Sequence, residues 1–191
     1  MTFRAQGKAT VYDPVTQERR AWRNGNDLAI PVSRSVFVEF NRNESIAFLA
    51  KEKDFGETVS FAPWSLTFPD GVCIPVVKSL DWSSISELTR EKQAFAGTAT
   101  FKTSFECPDG VNSAVLELGG VASIAEVYLN GIKAGVLWCR PLSIDLSHLL
   151  KQGKNVLRID VTNTWRNRVI YDLGQPKEGR QTWIIQQPGL S

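Results

Sequence analysis

Nearly every regular stretch of this chain places hydrophobic residues at every second position. Ala99, Phe101, Thr103 and Phe105 fall on one side of a run whose other side is Thr100, Lys102, Ser104 and Glu106. The same rhythm runs through Ala114-Leu116-Leu118, Ala125-Val127-Leu129, Leu142-Ile144-Leu146 and Leu157-Ile159-Val161. Successive side chains of a strand point to opposite faces, so each run predicts a strand buried on one side. Earlier in the chain the pattern predicts four strands: Gly7 to Tyr12, Glu18 to Trp22, Leu28 to Val32 and Ser35 to Phe40, with Val36, Val38 and Phe40 on one face. Four strands do not close a sandwich, so these pack on the rest of the chain or on a domain of which they are a part.

Turn residues separate the runs. Asn130-Gly131 stands between Val127-Tyr128-Leu129 and Ile132-Lys133-Ala134 and predicts a type I′ hairpin, which needs positive φ at both central residues. Pro69-Asp70-Gly71 and Pro108-Asp109-Gly110 predict further turns, and Gly119-Gly120 permits a sharp reversal. Two helical turns are expected: His148 to Gln152, capped by Ser147 and ended by Gly153, and a second within Trp82 to Lys92, capped by Ser83 or Ser84. No long amphipathic helix is predicted, which disfavours a βαβ enzyme. Short strands broken by turns point to an all-β sandwich or barrel. The charged stretch Lys51 to Glu57 reads as a linker, giving a partial β-segment over 1–55 and a β-sandwich over 56–191.

Composition agrees with sheets: ten Phe and six Trp against one Met and one His. The net charge of +2, with Lys and Arg scattered, argues against nucleic acid and anionic membranes as partners. Cys73, Cys107 and Cys139 have no CxxC spacing and read as three buried free thiols, and a single His argues against a zinc site. Met1 to Thr10 lacks the apolar core of a signal peptide.

The order of these segments resembles a known family. Phe95-Ala96-Gly97-Thr98-Ala99-Thr100-Phe101 comes first, then Leu116-Glu117-Leu118-Gly119-Gly120-Val121 and Ala125-Glu126-Val127-Tyr128-Leu129-Asn130-Gly131. Pro141-Leu142-Ser143-Ile144-Asp145-Leu146 and Asn163-Thr164-Trp165-Arg166-Asn167-Arg168 follow. The set is similar to the galactose-binding-like jelly roll of multidomain bacterial glycoside hydrolases of the β-galactosidase kind. Its closing stretch looks like the C-terminal region of α-L-rhamnosidase-type enzymes. The resemblance implies a noncatalytic accessory module, excised or truncated from a longer hydrolase that degrades polysaccharide in the periplasm or outside a bacterium. Its expected partners are the catalytic domain of that hydrolase and plant or host glycans. No cofactor is expected; a structural calcium held by backbone carbonyls is compatible with such folds.

Hydrolysis of a glycoside needs two carboxylates roughly 5 to 9.5 Å apart across the bond. Glu117, Glu126, Asp145, Asp160 and Asp172 are of the right type, but Glu117, Glu126 and Asp160 lie on the polar phase of strands and read as solvated. A Cys139–His148 dyad has nothing to orient it. No catalytic residue is therefore assigned. Sugar recognition asks for an aromatic face and polar groups for hydroxyls. Trp138 with Arg140, and Asn163 with Trp165, Asn167 and Arg168, supply two such sets. The competing structural expectation has Trp138 and Trp165 plugging the ends of the core, Asn163 capping a turn, and Arg140 and Arg168 pairing with Asp145 or Asp172. Trp22, Trp64 and Trp183 are candidates for docking on a catalytic domain. An autonomous carbohydrate-binding module and a purely structural interaction domain are the alternatives.

Overall fold

The computed structural model describes residues 3–5, 7–15, 17–22, 27–28, 30, 35–41, 58–76, 85, 88–121 and 123–182. The chain divides into two units, Met1–Glu57 with Cys139–Pro141, and Thr58–Trp138 with Leu142–Ser191. In the first unit the alternating runs form β1 (Ala9–Tyr12), β2 (Arg19–Trp22) and β3 (Phe37–Phe40), antiparallel in the order β2-β1-β3. Ala9 and Val11 of the central strand are buried, and Phe3 meets Trp22 and Phe40 edge-on at 5.8 and 5.7 Å. Trp22 is thus half-buried rather than displayed for docking. The strand expected over Leu28 to Val32 falls mostly outside the described residues.

In the second unit β4 (Trp64–Thr67) and β5 (Cys73–Val76) form a hairpin around Asp70-Gly71. A single helical turn, α1 (Arg90–Gln93), follows. Then come β6 (Thr98–Cys107), β7 (Val115–Glu117), β8 (Ile124–Leu129), β9 (Ile132–Leu137), β10 (Ser143–Asp145), β11 (Gly153–Thr162) and α2 (Arg166–Leu173). Six strands make an antiparallel sheet in the order β5-β4-β6-β11-β8-β9, and β10 pairs with β7 in a second sheet. This is the all-β sandwich that the period-two pattern predicts. Its core is the set of alternate residues: Leu66, Phe101, Leu157, Ile159 and Val127 from the large sheet, with Leu116, Leu142 and Leu146 from the small one and its flanks. Each fully buried aliphatic side chain of this kind contributes roughly 1.5–3 kcal/mol.

Turn chemistry fixes the connections. Asn130 and Gly131 both have positive φ, 54° and 84°, as a type I′ turn requires. Asn130 does more than turn the chain. Its Nδ2 donates to Leu149 O at 3.1 Å and to Asn155 Oδ1 at 2.9 Å, and its Oδ1 accepts from Val156 N at 3.0 Å. Asn155 is fully buried; its Nδ2 donates to the carbonyls of Lys151 and Gly153 and its Oδ1 accepts from Lys151 N. The two amides tie the β8–β9 hairpin to the start of β11.

Three expectations are corrected. The helix after Ser147 is one 3-10 turn, Ser147–Leu149, because the Ser147 hydroxyl accepts from Ala114 N at 3.1 Å instead of capping. Gly153, expected to end that helix, opens β11. Of the stretch expected to hold the second helical turn, Trp82 to Ser84 with both expected caps lies outside the described residues; the described part contains the start of α1, which Thr89 caps by accepting from Lys92 N. Of the three thiols only Cys107 is buried; Cys73 is exposed on the outward phase of the edge strand β5, Cys139 is half-buried, and all three are free.

Replacing Asn155 by Ala leaves the Asn130 amide and the Lys151 N–H without their partner inside the fold, which costs roughly 2–4 kcal/mol. Urea denaturation of N155A checks this, and a loss below about 0.5 kcal/mol would contradict the role of the amide pair.

Candidate functional site

The site is built where β11 ends. Thr162 pairs with Thr98 across the large sheet, and the chain then enters the segment that holds most of the sequence-predicted residues. Asn163 bridges to the loop before β6: its N–H donates to Gly97 O at 3.1 Å, its Nδ2 donates to Phe95 O at 2.6 Å, and its Oδ1 accepts from Gly97 N at 3.0 Å. Gly97 has a φ of 149°, and the Phe95 ring lies 2.8 Å from where a Cβ would stand, so this loop accepts only glycine there. The Asn163 amide is therefore spent on the fold, as the turn-capping expectation has it.

Next comes α2, which the sequence pattern did not predict. Its buried face is polar: Arg168 and Asp172, one turn apart, form an ion pair at 3.0 Å. An apolar stripe is the usual sign of a helix, and here a charged i,i+4 pair replaces it. Burial pushes the Asp172 carboxyl up. Hydrogen bonds from the Thr182 hydroxyl and the Thr182 and Gln181 amides, together with the Arg168 guanidinium, outweigh it and hold the group below its ordinary value. Asp172 is thus a clamp on the chain after α2, and Arg168 is its buried ion-pair partner rather than a displayed donor. Asn167, by contrast, is exposed.

Trp138 and Trp165 do not plug the core. They are 60% and 62% exposed. Trp165 precedes the first turn of α2, whereas Trp138 leaves β9 just past Leu137. Leu137 pairs with Ala125, which pairs with Val161, so Trp138 emerges at the sheet end where β11 gives way to Asn163. The register thus brings Trp138 and the 163–168 segment to one end of the sheet, with β8 between them. Arg140 is exposed and precedes a cis peptide bond to Pro141.

An open cleft of about 930 Å³ lies beside this segment. Phe101, Ile159 and Val161 of the large sheet form its floor, and Leu116 to Val121 form one wall. Phe61, Trp64, Gln93, Asn167, Ile170 and Tyr171 also line it. Trp64 is half-buried against Phe61, with ring centroids 5.4 Å apart, so it faces this cleft rather than a docking surface. Trp183 lies outside the described residues.

The acidic candidates are dispersed. Among the described residues, Glu117 is the only carboxylate on the cleft. Glu126, on the outer face, accepts from Lys133 at 2.9 Å and from the Tyr128 hydroxyl at 2.8 Å, and these bonds hold its carboxyl below its ordinary range. Asp160 accepts from the Thr100 hydroxyl at 2.8 Å, and Asp145 accepts from Ser147 N at 2.8 Å. His148 is exposed on its 3-10 turn.

The sequence family described as glycosyl hydrolase 2 galactose-binding domain-like matches residues 85–183, a little over half of the chain. The chain belongs to this family. The galactose-binding-like match spans the β6–β11 core and the α2 segment, the same stretch that carries the cleft floor. A curated relative from Formosa agariphila, which bears the name of a beta-glucuronidase, is 39% identical over 115 residues, 57% of this chain. The galactose-binding-like chain spans only about 10% of that relative's length. The rhamnosidase from Novosphingobium sp. PP1Y superposes on 95% of the chain with a TM-score of 0.67 and 25% identity, again over only 18% of its own length. The relatives are thus multidomain glycoside hydrolases, and what matches this chain is a galactose-binding-like domain rather than a catalytic one.

The clamp at Asp172 gives a test in acid. A carboxyl held down in the folded state adds stability that is present above its unfolded pKa and is lost as pH falls through the folded one. The Thr182 amide resonance should therefore titrate with a midpoint below 3.8. A midpoint at or above that value would contradict the clamp.

Proposed function

We propose that this chain is a noncatalytic accessory module of a glycoside hydrolase of the α-L-rhamnosidase type, and that it braces the catalytic domain. The observation that carries this reading is the superposition of almost the entire chain on a small part of a rhamnosidase. Two further features support it. The cleft presents one carboxylate among the described residues, whereas glycoside hydrolysis works with a pair. On α2, Ile170 and Leu173 are 59% and 55% exposed, an apolar surface suited to contact with another domain.

A second role in carbohydrate contact is favoured by the two exposed tryptophans at one sheet end. An indole face covers the apolar side of a sugar ring, and the exposed Asn167 amide bonds to hydroxyls.

The purified chain should release no chromophore from aryl α-L-rhamnosides or aryl β-glucuronides above a buffer blank. Sustained turnover that disappears in Glu117→Gln would overturn the noncatalytic reading. For the carbohydrate role, Trp138→Ala and Trp165→Ala should each weaken binding to rhamnose-containing oligosaccharides roughly tenfold, about 1.4 kcal/mol, with an unchanged unfolding midpoint. Binding by titration calorimetry that is indifferent to both changes would remove that role.

A further inference from the structure

The bonds of β7 to its neighbour set the direction of each of its backbone groups. Leu118 donates its N–H to Leu142 O at 2.8 Å, and Leu146 donates to Ala114 O at 2.9 Å, on either side of the register pair Leu116↔Ile144. In an antiparallel pair, residues bonded to the partner alternate with residues whose N–H and C=O point away. Leu116 therefore bonds to β10, and Val115, Glu117 and then Gly119 turn their backbone groups to the opposite edge. β10 is the only strand that pairs with β7 among the described residues. No hydrogen bond to those outward groups is found among the described residues.

That edge opens on the cleft. Leu116 to Val121 line it, and no residue of β10 does. Below the edge is an apolar floor, Phe101, Ile159 and Val161. Ser123 Oγ, on the cleft lining, is buried without a hydrogen-bond partner among the described residues. Backbone donors and acceptors recurring every second residue above an apolar floor match another strand, whose bonds and side chains repeat with the same period. A two-stranded sheet is short of what is stable alone, and an unpaired edge is a template for one more strand.

We propose that the outer edge of β7 is a docking site for an extended segment of the parent hydrolase's remaining polypeptide, which joins the β10–β7 sheet as a third strand. This rests on the reading of the chain as a module of a larger enzyme. The rhamnosidase it resembles has ample polypeptide to supply such a segment, since the match occupies 18% of that chain. The incoming strand carries apolar side chains at alternate positions, facing Phe101 and Ile159, and polar ones between them. Its mode of contact is backbone pairing, so the sequence of the occupant is constrained mainly in its alternation.

Amide hydrogen exchange tests this directly. In the isolated chain the Glu117 N–H should exchange at least tenfold faster than in the full-length enzyme, while Leu116 and Leu118, bonded to β10, should differ little. Adding the capped heptapeptide Thr-Val-Lys-Val-Thr-Val-Thr to the isolated chain should restore protection at Glu117 and Gly119. Glu117→Pro deletes one outward N–H on an edge strand and spares the β10 ladder, so it should weaken peptide binding at least tenfold. Where that variant fails to fold, the wild-type exchange comparison decides. Equal exchange of Glu117 in the two forms overturns the proposal, as does undiminished peptide binding by a folded Glu117→Pro chain. Protection of Glu117 by rhamnose-containing oligosaccharides but not by the peptide also overturns it, in favour of a sugar cleft. If the catalytic domain docks equally well on Glu117→Pro, the strand is lost and the module reading survives; if the catalytic domain does not dock at all, the module reading fails with it.

Discussion

The second unit depends on one long ladder. β6 and β11 pair over ten residues, from Thr98↔Thr162 to Cys107↔Gly153, and they occupy the middle of the six-stranded sheet. Their inward side chains supply the centre of the core, and their outward ones form cross-strand contacts such as the Thr98–Thr162 hydroxyl pair at 2.7 Å and the Thr100–Asp160 bond. The partners are far apart in sequence, so pairing them closes a long loop at an entropic cost that the buried core must offset. At one end of the ladder Asn163 fastens the 95–97 loop, and at the other Asn155 and Asn130 fasten the β8–β9 hairpin. The polar residues that look most like ligands for a sugar are, in these places, the bolts of the sheet.

The consequence of that arrangement is an unequal sandwich. Six strands face two, and among the described residues the cleft lies over the inner face at the half-buried Val161, with the buried Phe101 and Ile159 beneath it. An apolar floor, a bare strand edge and a helix with Ile170 and Leu173 turned outward are neighbouring features of one surface. They are the features on which the proposed bracing role rests. The chain belongs to a galactose-binding-like family and covers only a small share of its relatives, which are longer glycoside hydrolases.

Sheets were legible in the sequence because a half-buried strand writes its period directly into the order of residues. The Ala99–Phe105, Ala125–Leu129 and Leu157–Val161 runs all lie in strands with the expected face buried. Asn130-Gly131 was legible as a turn, but not as the partner of Asn155, because that contact joins residues distant in sequence. α2 was hidden because its inward face is Arg168 and Asp172, so no hydrophobic periodicity marks it. The exposure of Trp138 and Trp165 was equally invisible, since a tryptophan at a strand end has the same sequence signature whether it plugs a core or faces water. Asn163, Arg168 and Asn167 illustrate the limit for the site: three polar residues in one short stretch, of which two hold the fold and one stays open to solvent.

The central claim is that the chain works by supporting a catalytic domain it does not itself contain. The rate of heat inactivation of the full-length hydrolase, measured with and without residues 58–182, tests this most directly. The account predicts that removing the module speeds the loss of glycosidase activity severalfold while the initial turnover per intact active site changes little. An inactivation rate that is the same with and without the module would contradict it.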